Sequence, residues 1–369
     1  MHGYPISEDV STFIVETDEA SWRRAGLDEF DGESPRSRSD KISKEYLEEL
    51  FAEQIEGHRL LVNNSRWASF RTRRTRRWHV MTPRPVALLG DAVHTAHFSV
   101  GSGTKMAMED AIALSGALAS HPGDLAAALA AYEEAAQPSV RKIQDSARPS
   151  LAWWEHFGTY HDAFEPWQFA YHFFTRSISD GRLARRAPDF VATSHRAWAG
   201  THGAGPLRAP FKGRGWSAPG RVAGIAADPG SGAPAVALGG DGDLPLLAAP
   251  RAGGGAWGAV LAAPDSEAGL PAAASQVAGL AASGPVLVAV HAGTPLTRHL
   301  LCEEARLRHD VPALLVDPGL DRDQAVTTIL SGRADLVGVP AGAGAFAAFG
   351  RGRPVAGAGR GGRRDGRER

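Results

Sequence analysis

The sequence predicts an α/β protein in two parts, strands with long helices over 1–198 and a smaller βα repeat over 234–340. Three observations lead there. Residues 86–114 read strand, turn, loop, helix. Candidate strands at 234–239, 257–263, 286–291, 313–317 and 334–339 alternate with helical stretches near 270–282, 296–308 and 321–331, the mark of parallel α/β units. Between the parts, residues 199–233 are rich in Gly, Pro and Ala and read as a linker.

The organising stretch is 86–114. Val86 to Leu89 is a short apolar run, read as a buried strand. Gly90 and Asp91 close it, and Gly101 and Gly103 permit a tight turn or a close backbone approach. From Thr104 the period is helical, with Met106, Ala107, Asp110, Ala111 and Leu114 recurring at three and four residues. A helix start offers free N–H groups and about half a positive charge. Asp91 supplies a carboxylate suited to a sugar or ribityl hydroxyl, so the pair suits a polyhydroxylated, partly anionic cofactor.

In chain order, 11–16 reads as a strand and 28–41 as an acidic, serine-rich loop. Residues 43–57 read as an amphipathic helix, with Ser43 as N-cap, Gly57 as the stop, and Tyr46, Leu47, Leu50, Phe51 and Ile55 on one face. Residues 59–81 read as extended. Their arginines, Arg71, Arg73, Arg74, Arg76 and Arg77, are read as a solvated strand edge; a phosphate contact for a CoA thioester is the alternative. A helix over 104–119 ends near His121, and a second is expected over 124–147, bent or split by Pro138. The aromatic residues of 149–198 are read as core. Residues 341–369, Gly, Ala and Arg, are expected to be disordered.

Composition narrows the function. The 369 residues carry a formal net charge of −1, so no global field points to nucleic acid or membrane. The single cysteine, Cys302, allows no intrachain disulfide and suits a cytoplasmic protein. No run of eighteen apolar residues occurs, and the start does not read as a signal peptide. No metal site is read from the sequence.

Gly90-Asp91-Ala92-Val93-His94, with Gly101, Gly103 and Asp110-Ala111, resembles the second FAD motif of the group A flavoprotein monooxygenases. Phe98 stands where the general motif has proline, and Lys105 where it often has asparagine. The form His94 to Lys105 resembles the branch holding salicylyl-CoA 5-hydroxylase and the 2-aminobenzoyl-CoA monooxygenase/reductases, and the likeness runs from about Tyr4 to Trp198. It implies FAD, with NAD(P)H as co-substrate, and hydroxylation of an aromatic substrate carried as a CoA thioester. It implies that Gly90, Asp91, Gly101, Ser102, Gly103 and Thr104 bind the cofactor, Asp91 at the ribityl chain and the others by backbone. His94 and His97 are assigned either to flavin or substrate contact or to loop packing.

The family's opening Gly-x-Gly-x-x-Gly turn does not precede the motif. Three readings stay open: a separate chain supplies it, the start is mis-assigned, or the protein is a non-catalytic remnant serving as subunit or binding module. The second part resembles an Old Yellow Enzyme barrel at Pro210 to Val222, at His291-Ala292-Gly293, and at Asp310 to Pro312 with Asp335 to Val337. About 130 residues are available where a full barrel takes about 250. The substrate-binding His/Asn pair and tyrosine are missing between Gly293 and Leu296, and no phosphate-binding arginine follows Val339-Pro340. This part is expected to be a shortened, TIM-barrel-like remnant without FMN, with His291 structural.

Overall fold

The computed structural model describes residues 1–30, 40–62, 65–68, 71–227, 234–237, 244–248 and 255–340. The tail expected to be disordered, and most of the acidic loop, lie outside them. Two compact units divide the chain, 1–147 and 148–369. The division falls fifty residues before the expected linker.

In the first unit, β1 (His2–Pro5) and β2 (Ser11–Ile14) form an antiparallel pair. Helix α1 (Glu19–Arg24) follows, capped by Asp18. The helix expected over 43–57 is two pieces, α2 (Lys41–Leu50) and α3 (Ala52–Ile55). Its cap is Asp40, whose carboxylate accepts from the Ser43 N–H at 2.9 Å and from the Ser43 hydroxyl. A carboxylate outdoes a serine hydroxyl there because it also complements the positive helix end. Little of the described part of 59–81 is strand: β3 (His79–Val80) pairs antiparallel to β4 (Val86–Ala87), and Arg74 makes an isolated bridge to His94. Nor is 86–89 a buried strand, since Val86 is 49% and Leu89 38% exposed. Helix α4 (Gly103–Ser120) is followed by α5 (Leu125–Glu155), which carries Pro138 and Pro149 without interruption. Proline in a helix loses one hydrogen bond rather than all of them, and side-chain packing holds the rest. Trp78, Val93, Met106, Tyr132 and Val140 form the core of this unit.

The second unit opens with the end of α5 and four more helices: α6 (Phe157–Ala163), α7 (Pro166–Phe174), α8 (Asp180–Ala184) and α9 (Pro188–His202). The described part of the expected linker, 199–227, is folded. It holds the end of α9, a hairpin of β5 (Phe211–Gly213) and β6 (Trp216–Ala218), and β7 (Val222–Ala227). Arg221 pins it, lying over the rings of Trp198 and Phe211 and donating to the Asp335 carbonyl at 3.1 Å.

All five expected strands are present, as β8 (Pro234–Ala237), β10 (Gly258–Ala262), β11 (Leu287–His291), β12 (Ala313–Val316) and β13 (Leu336–Pro340), with β9 (Leu246–Leu247) between the first two. The expected helices are α10 (Leu270–Ala282), α11 (Pro295–Glu303) and α12 (Arg322–Leu330). The sheet order is β8-β7-β13-β12-β11-β10-β9. Every pair is parallel except β8 with β7, so the strand expected at 234–239 joins the sheet antiparallel to β7 over Pro234–Ala237 and not as a parallel unit.

Alternation along the strands sorts two cores. Leu287, Ala289, Leu314, Val316 and Leu336 meet Phe211 and Trp216 of the hairpin on one face. Val288, Val290, Ala313, Leu315 and Val337 meet the helices on the other. Near-continuous apolar strands are what a sheet covered on both faces requires. Capping boxes start α11 at Thr294 with Thr297 and α12 at Asp321 with Gln324.

Candidate functional site

The motif of the first unit is built on one buried carboxylate. Asp110, one residue past the second turn of α4, is 1% exposed. Its Oδ2 accepts the Gly90 N–H at 2.8 Å and the Nε2 of His94 at 2.7 Å. Gly90 stands at φ +57°, and a Cβ there would lie 3.1 Å from the Ala107 Cβ, so both conformation and helix packing require glycine. The turn and the helix are thereby locked to each other. His94 is wholly buried, with its ring 5.1 Å from Trp78. It is part of the lock and not of any surface. Tyr132 adds a hydrogen bond to the Leu88 carbonyl at 3.0 Å.

The lock leaves Asp91 exposed beside α4. Its carbonyl accepts from Arg73 at 2.7 Å, while its carboxylate makes no hydrogen bond or ion pair among the described residues. Gly101 adopts φ +61°, and the Cβ positions of Gly101 and Gly103 face open space. Ser102 turns its hydroxyl to the Val100 carbonyl and does not cap α4, so the first N–H groups of the helix stay unpaired by side chains. Thr104 is exposed at that end. The motif therefore presents one free carboxylate, a helix end that no side chain caps, and open space at Gly101 and Gly103. Asp91, Gly101, Ser102, Gly103 and Thr104 line the exposed side, and Gly90 supports it from beneath. His97 is half-buried, bonded to Ser99 at 2.7 Å and stacked obliquely on Phe98, and burial lowers its pKa.

The arginine run is less free than a solvated edge. Arg73 holds Asp91, and Arg74 reaches Gln144 and Asp145, both at 2.8 Å. Gln144 in turn donates to the carbonyls of Arg73 and Thr95 at 2.8 Å. Arg71, Arg76 and Arg77 are exposed. Two residues carry the site that the candidate set lacked: Asp110 and Arg73. Asp110 had a signal, since an acidic residue on the buried face of an apolar helix must find donors.

Residues 14–147 match the family model described as FAD binding domain. The locked turn, the free carboxylate and the bare helix end all lie within that segment. The chain is 51% identical over 343 residues to "Salicyloyl-CoA 5-hydroxylase" of Streptomyces sp, an alignment covering 91% of this chain and 63% of that protein. It is 41% identical over 152 residues to "3-hydroxy-4-methyl-anthranilyl-[aryl-carrier protein] 5-monooxygenase" of Streptosporangium sibiricum, covering 41% of this chain and 36% of that one. It is 37% identical over 155 residues to "Protodeoxyviolaceinate monooxygenase" of Chromobacterium violaceum, covering 42% and 38%. The chain thus spans under two thirds of the length of each of these relatives.

In the second unit His291-Ala292-Gly293 is a left-handed turn after β11, with Ala292 at φ 58° and Gly293 at φ 59°. A Cβ on Gly293 would lie 2.6 Å from the Pro264 carbonyl oxygen. Arg298 clasps the turn, donating to the Ala292 and Gly293 carbonyls at 2.9 and 3.0 Å and to Asp317 at 2.5 Å. Burial lowers the His291 pKa. Among the described residues no group of His, Cys, Asp and Glu could hold a metal, and no helix is long and apolar enough to cross a membrane.

Proposed function

We propose that this chain is part of an FAD-dependent aromatic monooxygenase that hydroxylates an aryl-CoA thioester with NAD(P)H and O2. The observation that carries the reading is the unpaired Asp91 carboxylate together with the uncapped start of α4, inside a segment matching an FAD binding domain. The residues fit the cofactor. Asp91 would accept hydrogen bonds from the ribityl chain, and the backbone N–H groups of Gly101 to Thr104 would offer fixed dipoles that stabilise negative charge on the flavin pyrimidine. FAD, when bound, supplies the oxygen-transfer chemistry, and the protein supplies position and electrostatics. His94 acts through the Asp110 lock and not by touching substrate. His97 stands beside the site on its loop.

We infer that the cofactor's ADP half is held by a Gly-x-Gly-x-x-Gly segment outside this sequence, in a longer polypeptide or a separate chain. Helix α4 is apolar on two sides, with Met106 buried but Met108 62% and Ile112 72% exposed. An apolar face left exposed opposite a buried one calls for cover. The exposed Val86 and Leu89 continue the same need for cover. The second unit is read as a shortened Old Yellow Enzyme-like remnant that does not use FMN. Its first and last parallel strands pair, Val222 with Val337, as in a barrel, but among the described residues it has six parallel strands rather than eight, and the sheet stays open at β8 and β9.

The test is FAD retention by the chain mixed with a fragment bearing the nucleotide turn. Asp91→Ala removes a charged acceptor worth about 1.5–3 kcal/mol. FAD binding should weaken roughly ten- to hundredfold. Arg77→Ala, exposed and apart from the turn, should bind like wild type. If Asp91→Ala holds FAD as tightly as wild type, the flavin reading fails and the chain is a non-catalytic subunit or binding module.

A further inference from the structure

The second unit contains a cavity of about 320 Å³ that the flavin reading does not use. It lies between the α5–α7 helices and α11–α12, and its volume falls in the range of small-molecule sites, about 300–1,000 Å³. Its lining includes the apolar Trp153, Leu296 and Leu320 and the cations Arg176, Arg298 and Arg333.

The charges lining the cavity do not cancel. Two carboxylates line the cavity, Asp317 and Glu303. Asp317 is taken by Arg298 at 2.5 Å. Glu303 accepts from the Tyr160 hydroxyl at 2.5 Å and from His172 at 3.1 Å, with Arg333 3.7 Å away. The histidines add no charge at neutral pH. Burial lowers His172 to about 4 and His299 to about 3. The Trp153 indole N–H donates to His172 Nδ1 at 2.8 Å, which requires that nitrogen unprotonated. Arg176 is the surplus. Its Nε donates to Ser150 at 3.0 Å and one Nη to the Phe173 carbonyl at 2.7 Å, with the guanidinium 3.9 Å over the Phe173 ring. Among the described residues no carboxylate lies within ion-pair reach of it, and burial and Arg333 both depress its pKa. The Nε of Arg298 is also buried without a partner.

A half-buried cavity with one uncompensated guanidinium and an aromatic wall selects for charge and apolar body together. We propose that this cavity binds a small monocarboxylate with a flat apolar body, its carboxylate on Arg176 and its ring against Trp153. The surplus of one charge matches a monoanion rather than a dianion.

The full chain is titrated by calorimetry with benzoate, its neutral isostere benzamide, and inorganic phosphate. Benzoate should bind at least about tenfold tighter than either, since a hydrogen bond to a charged group is worth that factor or more. Arg176→Gln should lose that preference, Arg176→Lys should keep most of it, and the exposed Arg185→Gln should behave like wild type. If Arg176→Gln fails to fold, the wild-type ratio and Arg176→Lys decide. Equal binding of benzoate and benzamide, no binding of benzoate at millimolar concentration, or an unaltered Arg176→Gln would overturn the proposal. Phosphate binding as tightly as benzoate would remove the apolar body from it.

Discussion

Asp110→Ala is expected to destabilise the first unit by about 3–5 kcal/mol, the cost of removing one partner of a buried charged contact. The residue never meets solvent, so the substitution strands two donors, the Gly90 N–H and the His94 ring, at about 1–3 kcal/mol each. Both donors share one oxygen, so their losses are coupled and do not simply add. Asp110→Asn keeps an oxygen in the same place and loses only the charge, so it should cost less than half as much. Denaturant unfolding of the full chain, with amide exchange at Gly90 as a local reporter, distinguishes the two. Gly90 should exchange early in Asp110→Ala, because the turn then has no anchor on α4. FAD retention should fall as well, although Asp110 does not face the cofactor site, because Asp91 is aimed by the turn that Asp110 holds. An Asp110→Ala chain that unfolds like wild type would mean the motif is held by packing of Met106 and Tyr132 alone.

What the sequence showed and what it hid follow from the range of the forces involved. The strands β10 to β13 and helices α10 to α12 were legible because each is a run of apolar residues at one period, and α11 and α12 also start at local capping boxes. Strand β7, Val-Ala-Gly-Ile-Ala-Ala, was not legible, since small residues in a Gly/Pro-rich stretch carry no alternation. It is a strand because β13 pairs with it across more than a hundred residues of chain. The same holds in the site. The free Asp91, Gly101 and Gly103 announce themselves by residue type and spacing. The anchoring by Arg73 and the burial of His94 depend on which side chains the turn brings together, and composition is silent about that. The exposure of Val86 and Leu89 ran against their apolarity for a related reason: periodicity says which face wants cover, not whether cover is present.

Arg333→Met should cost the second unit about 3–5 kcal/mol near neutral pH, and the loss should shrink on acidification. Arg333 is buried, donates to Thr175 at 3.1 Å and to the His172 carbonyl at 2.9 Å, and is the cation nearest the Glu303 carboxylate. Burial alone would raise the Glu303 pKa; hydrogen bonds from His172 and Tyr160 and the charge of Arg333 outweigh it and hold it at about 2. Without Arg333 the burial cost is offset only by the His172 and Tyr160 hydrogen bonds, so the carboxyl takes up a proton at higher pH. That proton uptake by the folded variant as pH falls narrows its deficit against wild type. Wild type moves the other way. His172 and His299 have folded pKa values of about 4 and 3, below the unfolded value of about 6.5. Their contribution is complete above pH 6.5 or so and is lost as pH falls toward 4 and 3, at about 1.4 kcal/mol per pH unit each. Glu303, lowered in the fold, adds a further loss between about pH 4.5 and 2. Denaturant unfolding of both chains at several pH values from about 7.5 to about 5 reads the difference directly. A deficit in Arg333→Met that stays constant across that range would show that Arg333 acts through its packing and its bonds to Thr175 and His172, and not as the counter-ion of Glu303.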